Sequence, residues 1–231
     1  MKKRNMIEIY PRIYQVGGND LSHADDCCIY LIDGGNAAAL IDTGAGTDTS
    51  HITDNIQKAG FDIDLINTII VTHGHIDHIG GLHYLQQGLH AQVVAHELEL
   101  PAIIEGRPEL TVAPWYGVTY KPISTVHHII SGPEKRVILG DLELVCVHTP
   151  GHTPGGISVY LDFDGQRILF GQDIHGPFDI AWGSNMADWH RSMQLLLNLN
   201  ADILCEGHFG IYQPADAVRK YIEGYLNHYA K

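Results

Sequence analysis

Apolar residues follow two patterns along this chain. Short apolar runs predict strands at 12–16, 27–32 and 37–41, with turns at Gly17-Gly18 and Asp33-Gly34-Gly35-Asn36. The second turn makes the last two runs a hairpin. The spacing of Ile52 and Ile56 predicts a helix over 48–59 that stops at Gly60. Thr68-Ile69-Ile70-Val71-Thr72 reads as a buried strand, followed by a His-rich loop, a helix over 79–87 and a strand over 91–95. Over 97–136 the pattern loosens, broken by Pro101, Pro108, Pro114, Pro122 and Pro133, and an irregular stretch of that length predicts a lid or pocket wall. Strands return at 137–139, 142–147, 157–161 and 167–170. A helix over 187–198, a strand over 202–205 and a helix over 215–228 complete the chain.

One pattern occurs twice. Ile29-Tyr30-Leu31, Asp33-Gly34-Gly35-Asn36 and Leu40-Ile41-Asp42 are echoed by Val159-Tyr160-Leu161, Asp164-Gly165-Gln166 and Leu169-Phe170-Gly171-Gln172-Asp173. Each is a hairpin whose second strand runs out to an Asp. The echo predicts one domain over 1–231 built of two similar halves, each a sheet with helices outside.

Composition narrows the class. With 14 Lys plus Arg against 27 Asp plus Glu the net charge is −13, which disfavours a grip on nucleic-acid phosphates. A hydrophobic fraction of 45% excludes wholesale disorder. No run approaches the roughly 18 apolar residues of a membrane span. Met1-Lys2-Lys3-Arg4 has the charge of a signal-peptide start, but Glu8, Pro11 and Arg12 interrupt before an apolar core can form, so the expected address is the cytoplasm. Cys27, Cys28, Cys146 and Cys205 lie in or beside apolar runs and read as reduced core thiols.

The 16 histidines carry the chemistry. Thr72-His73-Gly74-His75-Ile76-Asp77-His78 gathers three imidazoles and a carboxylate at a strand end, where such groups need a cation to be buried. Three more polar residues follow other predicted strands and sit close to glycine: His152 in Pro150-Gly151-His152, Asp173 in Gly171-Gln172-Asp173, and His208 in Glu206-Gly207-His208. A nitrogen and oxygen donor set without thiolate suits Zn, Fe or Mn.

In the spacing of His73, His75, Asp77, His78, His152, Asp173 and His208 the chain resembles the metallo-β-lactamase superfamily. The likeness runs from Leu40-Ile41-Asp42-Thr43-Gly44 to the final helix. It implies an α/β (α+β) fold, a four-layer αββα sandwich of two mixed sheets with outer helices. It also implies two divalent metal ions: His73, His75 and His152 on the first, Asp77, His78 and His208 on the second, Asp173 bridging, and Asp42 orienting ligands from behind. Class B β-lactamases lack an Asp at the Asp173 position, and flavodiiron proteins replace one imidazole with a carboxylate. The nuclease branches, RNase Z and the β-CASP enzymes, carry RNA-gripping segments or domains that suit neither this length nor this charge. The remaining resemblance is to glyoxalase II, acyl-homoserine lactonases and persulfide dioxygenases.

That resemblance implies hydrolysis of a small carboxylic ester, thioester or lactone by a hydroxide shared between two metals, with Asp77 and Asp173 as catalytic carboxylates. The competing readings are a mononuclear iron persulfide dioxygenase, a phosphodiesterase and a β-lactamase. Trp115, Tyr116, Tyr120, Phe178 and Trp182 are the candidate walls for an apolar acyl chain, and a hydroxyl from Tyr116 or Tyr120 is a candidate oxyanion donor. His148 is expected along its strand and away from the metals, Trp189 in packing, and Arg219-Lys220 on a solvated helix face. The aromatic, Pro-rich stretch from Pro101 to Pro122 offers a dimer surface.

Overall fold

The computed structural model describes residues 6–230, so the basic start Met1-Lys2-Lys3-Arg4 lies outside the described residues. Strands β1 (Ile7–Tyr10), β2 (Ile13–Gly17), β3 (Ile29–Asp33), β4 (Ala38–Ile41), β5 (Ile66–Ile70), β6 (Gln92–His96) and β7 (His128–Ile130) form one sheet in chain order. Strands β8 (Glu134–Leu139), β9 (Leu142–His148), β10 (Ile157–Phe163), β11 (Gln166–Gln172), β12 (Ile203–Glu206) and β13 (Ile211–Tyr212) form the second, also side by side in sequence order. Both sheets are mixed. In the first, pairing is antiparallel from β1 to β4 and parallel from β4 to β7. In the second, only β11 and β12 run parallel.

Period-two alternation in the strands builds the layers. Leu31 and Leu40 point outward to α1 (Ser50–Lys58), meeting Ile52 and Ile56. Their neighbours Ile32, Ala39 and Ile41 point inward and meet Cys146, Val159 and Phe170 of the second sheet. On the far side Leu169 and Leu204 face outward, against α6 (Met186–Asn198) and α7 (Ala215–Tyr229), through Met193, Leu196 and Ile222. Three apolar seams therefore separate four layers, the αββα order expected from the sequence. Each fully buried Leu or Ile stabilises the fold by roughly 1.5–3 kcal/mol. The four cysteines are free and buried, and Cys27 and Cys28 fall in different seams.

The sequence echo is a topological one. β3 and β4 are antiparallel and β5 joins β4 in parallel; β10, β11 and β12 repeat that arrangement. Asp42 follows β4, and Asp173 follows β11.

Several elements differ from the sequence reading. The helix expected over 79–87 is split into α2 (Ile76–Ile79) and α3 (Leu82–Leu89). Gly80 lies so close to the Ala45 backbone that a Cβ there would stand 2.0 Å from the Ala45 carbonyl oxygen, which explains a glycine at the break. Asp77 and His78 therefore sit on a helical turn and not on a loop. The 97–136 stretch is not irregular throughout: it holds α4 (Leu100–Ile103) and α5 (Pro108–Thr111), each with Pro in its first turn, as well as β7. β1, β7 and β13 escaped the sequence pattern because they are short, half-exposed sheet-edge strands with little alternation to read. Among the described residues no helix is long and apolar enough to cross a membrane.

Candidate metal centre

Strand ends from both sheets deliver the polar residues to one place. Beyond β5, Val71 still donates to the Val94 carbonyl (2.9 Å), and the Thr72 carbonyl accepts from Ile157 N of the other sheet (2.9 Å). His73 leaves the point where the sheets are tied, and His75 follows as N-cap of α2. His152 comes from the turn after β9, where Gly151 (φ +147°) packs on α6 so closely that a Cβ would stand 2.3 Å from Trp189 Cα.

Ligand-capable atoms of His73, His75 and His152 lie within 4.8 Å of one another, and so do those of Asp77, His78, Asp173 and His208. The two groups meet at Asp173. Its Oδ2 is 3.6 Å from His152 Nε2, 4.0 Å from His73 Nε2 and 3.3 Å from His208 Nε2, while Oδ1 is 3.2 Å from His78 Nε2. Asp77 Oδ2 stands 3.2 Å from His208 Nε2 and 3.6 Å from His78 Nε2. All seven residues picked from the sequence are thus brought together.

Four further groups fix the orientation of the imidazoles. Asp42 Oδ2 faces His78 Nδ1 (2.8 Å), and the same carboxylate accepts from Thr72 N (2.8 Å) and Thr72 Oγ1 (2.7 Å). The Pro177 carbonyl faces His152 Nδ1 (2.7 Å). Glu206, fully buried, accepts from the His208 and Phe209 backbone N–H groups (2.7 and 2.8 Å) and pairs with His175 Nδ1 (2.6 Å). Glu99, also buried, accepts from Gly74 N (2.8 Å) on one oxygen and from Thr153 Oγ1 (2.7 Å) and Gly155 N (2.8 Å) on the other. It joins the segment carrying His73 and His75 to the one carrying His152.

The residues fit divalent cations. His73 Nε2, His78 Nε2 and Asp173 Oδ1 are buried without a hydrogen-bond partner, an expensive condition that a cation relieves. His152 Nε2 and His75 Nδ1 face each other at 2.9 Å, converging on one point, and the donors of the two clusters are nitrogen and oxygen alone. Electrostatics separate the two groups. Burial pushes the pKa of His73 and His152 down and that of His75 down to about 3, leaving three neutral imidazoles. Burial also opposes a charge on His208, but Asp173 and Asp77 raise it to about 10. Burial likewise works to raise the Asp173 carboxyl, and His208 and His78 overcome it, holding it well below the usual range.

A cleft of about 490 Å³ opens onto this cluster, with Trp115, Tyr116 and Trp182 on its wall. Burial, then Asp77, push the Tyr116 hydroxyl pKa up, so it stays a proton-bearing donor beside Asp77. Two sequence candidates are corrected. Tyr120 is buried in the core below the wall, its hydroxyl donating to the Ile103 carbonyl (3.0 Å). Phe178 stands behind His152, packed on Trp189 (5.3 Å between centroids) and Tyr229 (5.1 Å), and does not line the cleft. His148 stacks on His96 (3.9 Å), outside both clusters; Trp189 packs and donates to the Ile174 carbonyl; Arg219 pairs with Glu223 on the solvent face of α7. Glu99, His175 and Glu206 were missed. Glu206 is two residues from His208 and next to its glycine, a usable signal, whereas nothing in Glu97-Leu98-Glu99 marks the last residue as special.

Comparison with known proteins agrees with this geometry. The family profile of the Metallo-beta-lactamase superfamily matches residues 24–208. The probable metallo-hydrolase YflN of Bacillus subtilis is 29% identical over 60% of this chain, and the match spans 62% of that protein, less than two thirds of its length. The acyl-coenzyme A thioesterase MBLAC2 of Gallus gallus is 27% identical over 80% of this chain and 73% of its own. A solved metallo-beta-lactamase from Cronobacter sakazakii superposes with a TM-score of 0.82, covering 97% of this chain and 95% of that one; at 21% identity the likeness is one of fold.

Proposed function

From a chain that belongs to the metallo-beta-lactamase superfamily and is a metal-dependent hydrolase in its general class, we propose a two-metal hydrolase of small carboxylic esters, thioesters or lactones. The observation that carries the reading is Asp173, whose two oxygens stand between a cluster of three imidazoles and a cluster of two imidazoles and a carboxylate. His73, His75 and His152 would hold one cation, and Asp77, His78 and His208 the other, with Asp173 shared. Zinc is the first choice for these donors, and iron or manganese also fit. Bound there, divalent cations supply Lewis acidity, lowering the pKa of water from 15.7 towards about 7 and polarising a carbonyl.

The protein's own groups do the rest. Asp77, kept ionised by His78 and His208 against its burial, steers the attacking water and receives a proton for the leaving group. The Tyr116 hydroxyl donates to the carbonyl oxygen as it gains charge. Asp42, locked by Thr72, holds the His78 ring. A carboxylate standing between two clusters favours this reading over a single-iron persulfide oxidation. The partner is a small molecule, and the acidic surface favours neither nucleic acid nor phosphodiester.

Proton release in a pH-stat tests it, using zinc-loaded protein and a panel of an acyl lactone, a glutathione thioester, an aryl ester and a β-lactam. Turnover of an ester, thioester or lactone, abolished in Asp173→Ala, supports the reading. No turnover with both metals verified bound refutes it.

A further inference from the structure

The walls of the cleft differ in a way that selects among acyl substrates. Resting on the hydrolase reading above, the geometry points to an uncharged substrate: an apolar acyl chain joined to a leaving group that carries no phosphate or carboxylate.

The first observation is a continuous aromatic path from the metal centre to solvent. The His75 ring meets Trp182 edge-on at 5.3 Å between centroids, and Trp182 meets Trp115 edge-on at 5.1 Å. Trp115 is 68% exposed, and Phe209, at another point of the same cleft, is 57% exposed. Large rings left in water along one wall gain stability when a chain of methylenes covers them, about 0.8 kcal/mol per group when burial is complete. A carbonyl beside His75 would lay its acyl chain along Trp182 towards Trp115.

The second observation is charge. Among the described residues no Lys or Arg lines the cleft, and beyond the His and Asp cluster its charged side chains are Asp25 and Asp26. Asp25 is exposed, and the chain as a whole carries −13. An anion several bonds from the scissile carbonyl reaches past the centre to this rim, where it finds no cationic side chain and meets a carboxylate. A glutathione thioester, a coenzyme A thioester and a β-lactam all carry such an anion. In the reaction water adds its oxygen to the acyl carbon, the bond from that carbon to oxygen or sulfur breaks, and a neutral alcohol or thiol leaves with a proton beside the carboxylic acid.

The test compares octanoyl-N-acetylcysteamine with octanoyl-coenzyme A on the metal-loaded protein. Acyl chain and scissile bond are the same; the leaving thiol of coenzyme A adds both bulk and phosphate charge, and the salt dependence and the Asp25→Lys variant separate the charge from the bulk. We expect kcat/KM for the neutral thioester to be at least about tenfold higher, with the gap narrowing as salt screens the rim. Asp25→Lys is expected to raise turnover of the coenzyme A ester and leave the order of neutral esters as it was. Along a series from acetyl to octanoyl, kcat/KM should climb by up to about fourfold per methylene in wild type and flatten in Trp115→Ala. A readout without turnover comes from tryptophan fluorescence of the same protein, expected to saturate with N-ethyloctanamide at concentrations where N-octanoyltaurine, whose sulfonate stands where the leaving group would, has no effect.

Equal or faster turnover of the coenzyme A ester, or a flat chain-length series in wild type, overturns the inference while leaving the hydrolase standing. Turnover of neither thioester, with metals verified and the ester and lactone panel also silent, removes the hydrolase reading and the inference together.

Discussion

Glu99→Gln isolates a carboxylate that touches no candidate ligand and yet ties two ligand-bearing segments together. In the native protein Oε2 accepts from Gly74 N, and Oε1 accepts from Thr153 Oγ1 and Gly155 N. A glutamine of the same shape has one acceptor oxygen. If it keeps Thr153 and Gly155, its NH2 group faces the Gly74 N–H, donor against donor, and a buried N–H goes unpaired at about 1–3 kcal/mol. Part of that cost is offset, because burial already penalises the native carboxyl and raises its pKa. The expected loss of folding stability is therefore small, about 1–2 kcal/mol in urea melts of metal-free protein. Metal affinity should fall further. Gly74 lies between His73 and His75, and Thr153 follows His152, so loss of the tie frees the trio, and outer supports of this kind are worth about 10–100-fold in affinity. The quartet of Asp77, His78, Asp173 and His208 does not lean on Glu99. Chelator competition with two-site stoichiometry should thus show one class of site weakened, and the cobalt(II) visible spectrum should change for that site alone. Wild-type affinity at both sites would refute the positioning role, and an equal fall at both would reduce it to general loosening. Glu99→Ala, which strands all three donors, is expected to be the more severe variant in both assays.

Three further outcomes follow from the geometry. Asp42→Asn should weaken metal binding at the His78 cluster by about 10–100-fold and spare the trio, read in the same competition titration. Gly151→Ala forces a side chain into a left-handed backbone with its Cβ 2.3 Å from Trp189 Cα, and should cost about 1–3 kcal/mol in urea melts, with weaker metal binding as His152 moves. His96 supplies a pH dependence away from the metals: burial, then the stacked His148, lower its pKa to about 4, so the folded state holds it neutral. Below the unfolded value of about 6.5 the unfolded chain binds the extra proton, so stability is lost as pH falls from about 6.5 towards 4. Urea midpoints of metal-loaded protein should decline over that window, and His96→Gln should remove part of the decline.

What the sequence disclosed was local chemistry. His73, His75, Asp77 and His78 advertise themselves by crowding, and His152, Asp173 and His208 by sitting beside glycines at strand ends. The strands of the inner layers were legible because residues such as Leu31 and Ile32 alternate between two apolar seams. Groups that act across long separations were not legible. Glu99 meets Thr153 at a separation of 54 residues and Gly74 at 25, so no local pattern records its role. Tyr120 and Phe178 misled for a related reason: an aromatic in a loosely patterned stretch is equally suited to a pocket wall and to the packing behind it. Only the tertiary fold, which sends the Tyr120 hydroxyl to the Ile103 carbonyl and the Phe178 ring to Trp189, decides between them.

The internal echo explains how two halves with one topology make one asymmetric centre. In the first half β4 ends at Asp42 and the parallel strand β5 leads to His73; in the second, β11 ends at Asp173 and the parallel strand β12 leads to His208. Both hairpin exits carry a residue of positive φ, Asp42 at +62° and Gln172 at +48°, so the backbone turns sharply in each. The two carboxylates converge on the same ring from opposite sides: Asp42 Oδ2 stands 2.8 Å from His78 Nδ1, and Asp173 Oδ1 stands 3.2 Å from His78 Nε2. The difference in role comes from what else is within reach. Asp42 has Thr72 N and Oγ1 to satisfy its remaining lone pairs and so becomes a fixed support. Asp173 Oδ1 has no donor beyond its imidazole neighbours and is left with lone pairs for a cation. A donor introduced near Asp173, or Thr72→Val beside Asp42, would blur that division. Thr72 Oγ1 also faces His73 Nδ1 at 3.2 Å, so Thr72→Val is expected to loosen His78 through Asp42 and His73 directly while leaving the Gly74 N–H bond to Glu99 in place, and chelator competition should register a loss at both clusters, where Asp42→Asn registers one at the His78 cluster.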